Sequence, residues 1–131
     1  MQAKHGIAVL RIGASALMLT HGWPKLLMLL EGRGGEFPDP LGMGPMLSLV
    51  ATVGAEFACA ALCLVGLYTR LAALPIVFTM GVAAFVVHGD DGWSKQEFPL
   101  LYGVAFLALV IGGGGAPSVD LSLRRRNLDE V

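Results

Sequence analysis

The sequence predicts an all-α protein: an integral membrane four-helix bundle forming a single domain over residues 1–131. Three observations carry that expectation. Of the 131 residues, 55% are hydrophobic and only 15% charged, whereas a soluble domain carries about a quarter charged residues. The mean hydropathy is +0.69. The apolar residues fall in four runs, on the scale of the roughly 20 residues that a helix needs to cross a bilayer. These runs are too long for strands and lack the period-two alternation of a half-buried sheet. The same composition excludes a disordered chain, a collagen-like repeat and a disulfide-stapled miniprotein. A net charge of −1, from nine basic and ten acidic residues, leaves no overall basic field for nucleic acid.

The first span covers about residues 6–30 and is interrupted by Arg11, His21 and Lys25. Lys4 and the Ala14-Ser15-Ala16 stretch resemble parts of a secretory signal, but Arg11 inside the apolar run argues for a retained span. Residues Glu31 to Pro45 form the longest loop, and their glycines and prolines make it irregular. The second span, about 46–69, has Glu56 as its only charge. A tight turn at Tyr68-Thr69-Arg70 leads into the third span, about 71–88, which carries no Asp, Glu, Lys or Arg after the turn. His88 to Gln96 form the third loop. The fourth span, about 97–112, is stopped by Gly112 to Gly115 and Pro117.

Basic residues near the span ends set the orientation. With both termini cytoplasmic, the inner side holds Lys4, Arg11, Arg70, Arg124, Arg125 and Arg126, against Lys25, Arg33 and Lys95 outside. Trp23 and Trp93 then lie near the outer interface, where indole rings concentrate. The Arg124-Arg125-Arg126 run is expected to anchor on anionic lipids of the inner leaflet. The glycine-rich turn at 113–117 folds the chain back beneath the bundle, which predicts that Asp120 approaches Arg70 or Arg11.

Ionisable groups at membrane depth cost about 2.5–3.5 kcal/mol each on insertion scales, so each calls for a partner or a task. His21 and Lys25 are four apart and share one helix face. Pro24 between them removes a backbone donor and loosens the helix there. Glu56 lies near the middle of its span and can answer either cation. Tyr102 lies in the outer half of the fourth span, and His88 at the outer end of the third. The sequence therefore predicts one polar cluster of His21, Lys25 and Glu56 in the outer half of the bundle, lined by Tyr102. Two readings of it stand side by side. It is a pocket for a small polar head group or a proton relay, or it is a structural ion pair that fixes helix register while Lys25 snorkels outward.

The remaining candidates read as packing. Cys59 and Cys63 have C-x3-C spacing, poorly placed for a disulfide and unlike a dithiol redox motif, so they are expected to act as small apolar residues. The three histidines make no metal set. His21 and His88 supply two ligands at most, and a bis-His haem needs a helix-facing pair at matched depth.

Arg11-Ile12-Gly13 followed by His21-Gly22-Trp23-Pro24-Lys25-Leu26 resembles the first-span signature of the DoxX family. Glu56 followed by Leu64-Val65-Gly66-Leu67-Tyr68-Thr69-Arg70-Leu71-Ala72-Ala73 resembles its second signature. Gly113-Gly114-Gly115-Ala116-Pro117-Ser118-Val119-Asp120 resembles its Gly-x-Gly-x-x-Ser-x-Asp close. Met80, Glu97 and Tyr102 also sit where that family tends to place such residues. The resemblance runs from about Gly6 to Leu121 and implies a small four-helix protein of the bacterial inner membrane, related to the small subunit of thiosulfate:quinone oxidoreductase.

By that resemblance the outer cluster looks like a place for a quinone head group. His21 and Glu56 would handle protons, and Lys25 would steady a reduced quinone oxygen. Trp23, Tyr102 and His88 would bind the cofactor, Tyr102 by donating a hydrogen bond. No cofactor motif is visible in the chain, so a protein partner or a larger membrane complex would supply electrons. The other readings are a non-catalytic accessory or scaffold subunit of such a complex, and a small-solute carrier. A carrier needs polar groups along a whole path, and the third span offers none before His88.

Overall fold

The computed structural model describes residues 2–129. Among the described residues there are five main helices, α1 (Gln2–Leu30), α2 (Pro45–Val65), α3 (Thr69–Val87), α4 (Trp93–Gly112) and α5 (Val119–Asp129), and a short 3-10 turn at Gly34–Glu36. Among the described residues there is no strand. Helices α2, α3 and α4 are each long and apolar enough to cross a membrane. The longest, α1, has 29 residues but is not in that set, because Arg11, His21 and Lys25 dilute its apolar content. It nevertheless packs lengthwise with the others. Each of the four long helices packs on its chain neighbours, and α4 closes the ring onto α1.

Small residues let the helices approach closely. Ala60, Cys63 and Ala73 are fully buried beside Met18, Ile76, Phe106 and Leu109. The large side chains outside this core, such as Val9, Phe78, Val104 and Ile111, point away from the bundle. That is the pattern for helices whose outer faces meet lipid rather than water.

Two ends of the bundle can be distinguished. The loop end carries the α1–α2 and α3–α4 connections. At the terminal end lie the start of α1, the α2–α3 turn, and the chain between α4 and α5. At the loop end, Asp39 organises the long connection. Its carboxylate accepts hydrogen bonds from the Met43 and Gly44 amides at 2.9 and 2.8 Å and from the Ser48 hydroxyl at 2.8 Å. Pro45 then opens α2, the first helical position being one where a missing N–H costs nothing.

Some boundaries differ from those read in the sequence. The α2–α3 turn falls at residues 66–68, two positions earlier than expected, because Gly66 takes a left-handed φ of 76° and ends α2. Tyr68 is also left-handed, at φ 48°. Helix α4 begins at Trp93, directly after Gly92 at φ 86°, so the α3–α4 loop is shorter than the sequence suggested. Helix α5 was not anticipated. Its signal was present: Ser118 accepts the Leu121 amide at 3.2 Å, and a serine before an acidic first turn is a helix start.

Asp120 comes near Arg11 and shares a cavity wall with Arg70, as expected, but the approach does not become an ion pair. It pairs with neither Arg70 nor Arg11. Its carboxylate accepts the Tyr68 and Thr69 amides at 2.7 and 3.0 Å and the Thr69 hydroxyl at 2.9 Å. Tyr68 gives α3 no side-chain cap, and the free amides of a helix start need an acceptor. Arg11 instead reaches the Pro117 carbonyl at 2.8 Å and is 2% exposed. Gly66 and Gly114 make its slot: a Cβ on either would press on the guanidinium. Among the described residues its Nε and Nη1 have no hydrogen-bond partner, nor does the buried hydroxyl of Ser15 one turn along.

Candidate functional site

Helix α1 sets the site. Met18, His21 and Lys25 lie three and four positions apart, so they share one stripe that runs from buried Met18, beside buried Gly22, to exposed His21 and half-buried Lys25. At Gly22 the α1 backbone packs directly on that of α2. A Cβ there would lie 2.5 Å from the Glu56 carbonyl oxygen and 2.9 Å from the Phe57 nitrogen. Only a hydrogen fits, and the close approach brings Lys25 onto Glu56.

Glu56 lies in a π turn over Gly54–Cys59. Such turns widen an α-helix locally and concentrate at functional sites. A second π turn, Ala83–Val87, ends α3, and its first residue borders the same cavity. The Lys25 ammonium donates a hydrogen bond to Glu56 Oε2 and forms an ion pair with it. The Glu56 side chain is 4% exposed and that of Lys25 30%. The carboxylate is thus withdrawn into the bundle, while the ammonium keeps a route outward.

The ion pair borders a cavity of about 120 Å³ to which all four long helices contribute. His21 and Phe98, both exposed, stand at its rim, and Tyr102, Met80 and Met18 lie deeper. The His21 ring packs edge-on against Phe98 and Tyr102, each with centroids 5.5 Å away. Phe98 and Tyr102 pack on one another at 5.3 Å. This aromatic trio ties α1 to α4 and fixes the imidazole beside the ion pair. Among the described residues the Tyr102 hydroxyl has no hydrogen-bond partner, so its proton is free for a ligand.

The structure therefore brings His21, Lys25, Glu56 and Tyr102 to one cavity. Trp23 and His88 lie outside its lining. Trp23 packs on Phe57 at 6.1 Å. His88 pairs with Asp91 at 2.8 Å in the α3–α4 loop. That hydrogen bond, with Lys95 nearby, holds the Asp91 carboxyl below the usual carboxylate range. Sequence reasoning missed Met18, Ala83 and Phe98, and noted Met80 only by family resemblance without assigning it to the cluster. Met18 and Phe98 carried a usable signal: each is one helical turn from a residue already singled out, His21 and Tyr102. Ala83 carried none.

A helical membrane bundle with a buried mid-helix carboxylate, paired to a lysine, beside a small cavity is the class of protein that fold and site define. The chain belongs to the DoxX family, whose family model matches residues 6–89. That stretch includes the two signatures around His21 and Glu56 and stops before α4. Among relatives, an uncharacterised protein of Haemophilus influenzae is 29% identical over 95 residues, covering 69% of this chain and 63% of the relative. A second uncharacterised protein of that organism is 33% identical over 125 residues, covering 87% of each chain. A protein named inner membrane protein YphA, from Escherichia coli, is 30% identical over 126 residues, again covering 87% of each. No solved structure matches.

Proposed function

We propose that the chain is the inner-membrane subunit of a quinone-linked oxidoreductase, and that the cavity beside Lys25 and Glu56 receives the quinone head group. The observation that carries this reading is an ion pair inside the bundle that faces a small cavity instead of closely packed side chains. An apolar cavity of about 150 Å³ takes up benzene. About 120 Å³ with an open rim is therefore on the scale of one six-membered ring.

A bound quinone accepts electrons and protons together. Glu56 and His21 are the groups that hold and pass protons. Lys25 places positive charge where the ring oxygen gains negative charge, and the Tyr102 hydroxyl donates to the same head group. The electrons come from a protein partner or a larger membrane complex. The inner-membrane assignment leans on the relative named as an inner membrane protein. The excess of basic residues at the terminal end supports cytoplasmic termini, which a reporter fused to the C-terminus tests directly.

The satisfied Lys25–Glu56 pair favours a second reading, a non-catalytic accessory or scaffold subunit. The two are separated by purifying the full chain in mild detergent, extracting bound quinone, and titrating a short-chain quinone into quinone-free protein. The proposal expects saturable binding that Tyr102→Phe weakens and Glu56→Gln abolishes while the fold is kept. Folded wild-type protein that binds no quinone overturns it and leaves the accessory reading.

A further inference from the structure

The terminal end of the bundle holds a second and larger cavity, about 560 Å³, between the Gly112–Gly115 turn, the start of α3 and one side of α5. Three cations line it: Lys4 of α1, Arg70 of α3 and Arg124 of α5. Among the described residues none of the three has an ion-pair partner. Among the described residues the one carboxylate in the wall is that of Asp120, engaged by the amides of Tyr68 and Thr69 and by the Thr69 hydroxyl. It neutralises none of the cations at contact distance. The turn at Gly113, left-handed at φ 76°, lies beside the Arg70 side chain.

The rest of the wall is largely apolar, with Ile7 and Leu71 among its residues. Unpaired cations over an apolar floor, at the depth where three spanning helices begin or end, match a phosphate group with the upper part of an acyl chain. Basic pockets of this kind between membrane helices receive anionic head groups. The volume lies within the range of small-molecule sites.

We infer that this groove binds one anionic phospholipid of the adjoining leaflet, with its phosphate held by Lys4, Arg70 and Arg124. This differs from general attraction of a basic tail to a charged surface. Arg125 and Arg126 are exposed and do not line the groove, so they supply the control.

The test is native mass spectrometry of the full chain in mild detergent, titrated with phosphatidylglycerol and, separately, phosphatidylcholine. The expected result is one phosphatidylglycerol retained per chain, with phosphatidylcholine at least about tenfold weaker. The triple variant Lys4→Gln/Arg70→Gln/Arg124→Gln should bind phosphatidylglycerol on the order of a hundredfold more weakly. Arg125→Gln/Arg126→Gln should bind like the wild type. Should the triple variant fail to fold, the wild-type lipid preference and Arg124→Gln alone, on the peripheral α5, decide the matter. Equal retention of the two lipids overturns the proposal. So does a loss in the Arg125/Arg126 variant as large as in the groove variant. Displacement of phosphatidylglycerol by an equal concentration of inorganic phosphate also overturns it, in favour of a site for free phosphate.

Discussion

Gly22 and Glu56 meet backbone to backbone: a Cβ on Gly22 would lie 2.5 Å from the Glu56 carbonyl oxygen. Real side chains do not approach a carbonyl that closely, so any substitution forces α1 and α2 apart. Gly22→Ala is expected to cost about 1–3 kcal/mol through overpacking. Gly13→Ala, with nothing within 4 Å of the added carbon, should be neutral or stabilising by up to about 1 kcal/mol from helix propensity. Thermal unfolding of the two variants in one detergent makes the comparison.

The Lys25–Glu56 pair is asymmetric, with the carboxylate buried and the ammonium near the edge. Lys25→Met leaves a carboxylate in the bundle without its counter-charge and is expected to cost about 3–5 kcal/mol. Glu56→Gln should cost less, because the lysine can extend outward. The double variant Lys25→Met/Glu56→Gln should recover most of the Lys25→Met loss. A double-mutant cycle on chemical or thermal unfolding reads the coupling directly.

Asp120 caps α3 from a distant part of the chain. Asp120→Ala should destabilise the bundle by about 1–2 kcal/mol, as loss of a helix cap does. It should also free α5, so limited proteolysis after residue 112 becomes faster in the variant. Arg70→Gln should leave both readouts unchanged, because Asp120 does not depend on Arg70 as a partner.

The α1–α2 loop should respond to acid. The Ser48 hydroxyl and the amides of Gly44 and Met43 hold the Asp39 carboxyl below the usual carboxylate range. A depressed folded-state value means that this contribution is complete above about pH 4 and is lost as pH falls through the lowered value. Protection of the Met43 and Gly44 amides, measured against the intrinsic exchange rate at each pH, should therefore be high at neutral pH and fall below about pH 4. Asp39→Ala should show the low protection at every pH.

How much was legible depended on the kind of force. The placement of the spans followed from composition, and the meeting of His21, Lys25 and Glu56 followed from helical spacing and the cost of a lone charge in lipid. Depth alone grouped Trp23 with them, but a residue two positions from both His21 and Lys25 lies about 200° round the helix, and Trp23 turned to Phe57. The partner of Asp120 was hidden because charges were being matched with charges. The stronger demand came from uncapped backbone amides of α3, which only a known turn at Gly66 reveals. The π turns at Glu56 and Ala83 left no trace in residue type.

Arg11 and the carbonyl it holds are 106 positions apart in the chain, and the separation is also an interval of time. At roughly 5–20 residues per second, synthesis of that stretch takes on the order of 5–20 s. Throughout it, the first helix made must wait with a cation that its own neighbours cannot satisfy. The guanidinium gains its acceptor only when the segment after α4 emerges. Assembly of the bundle is therefore tied to synthesis beyond α4: a product cut short before Pro117 keeps its apolar helices but lacks the group that holds Arg11.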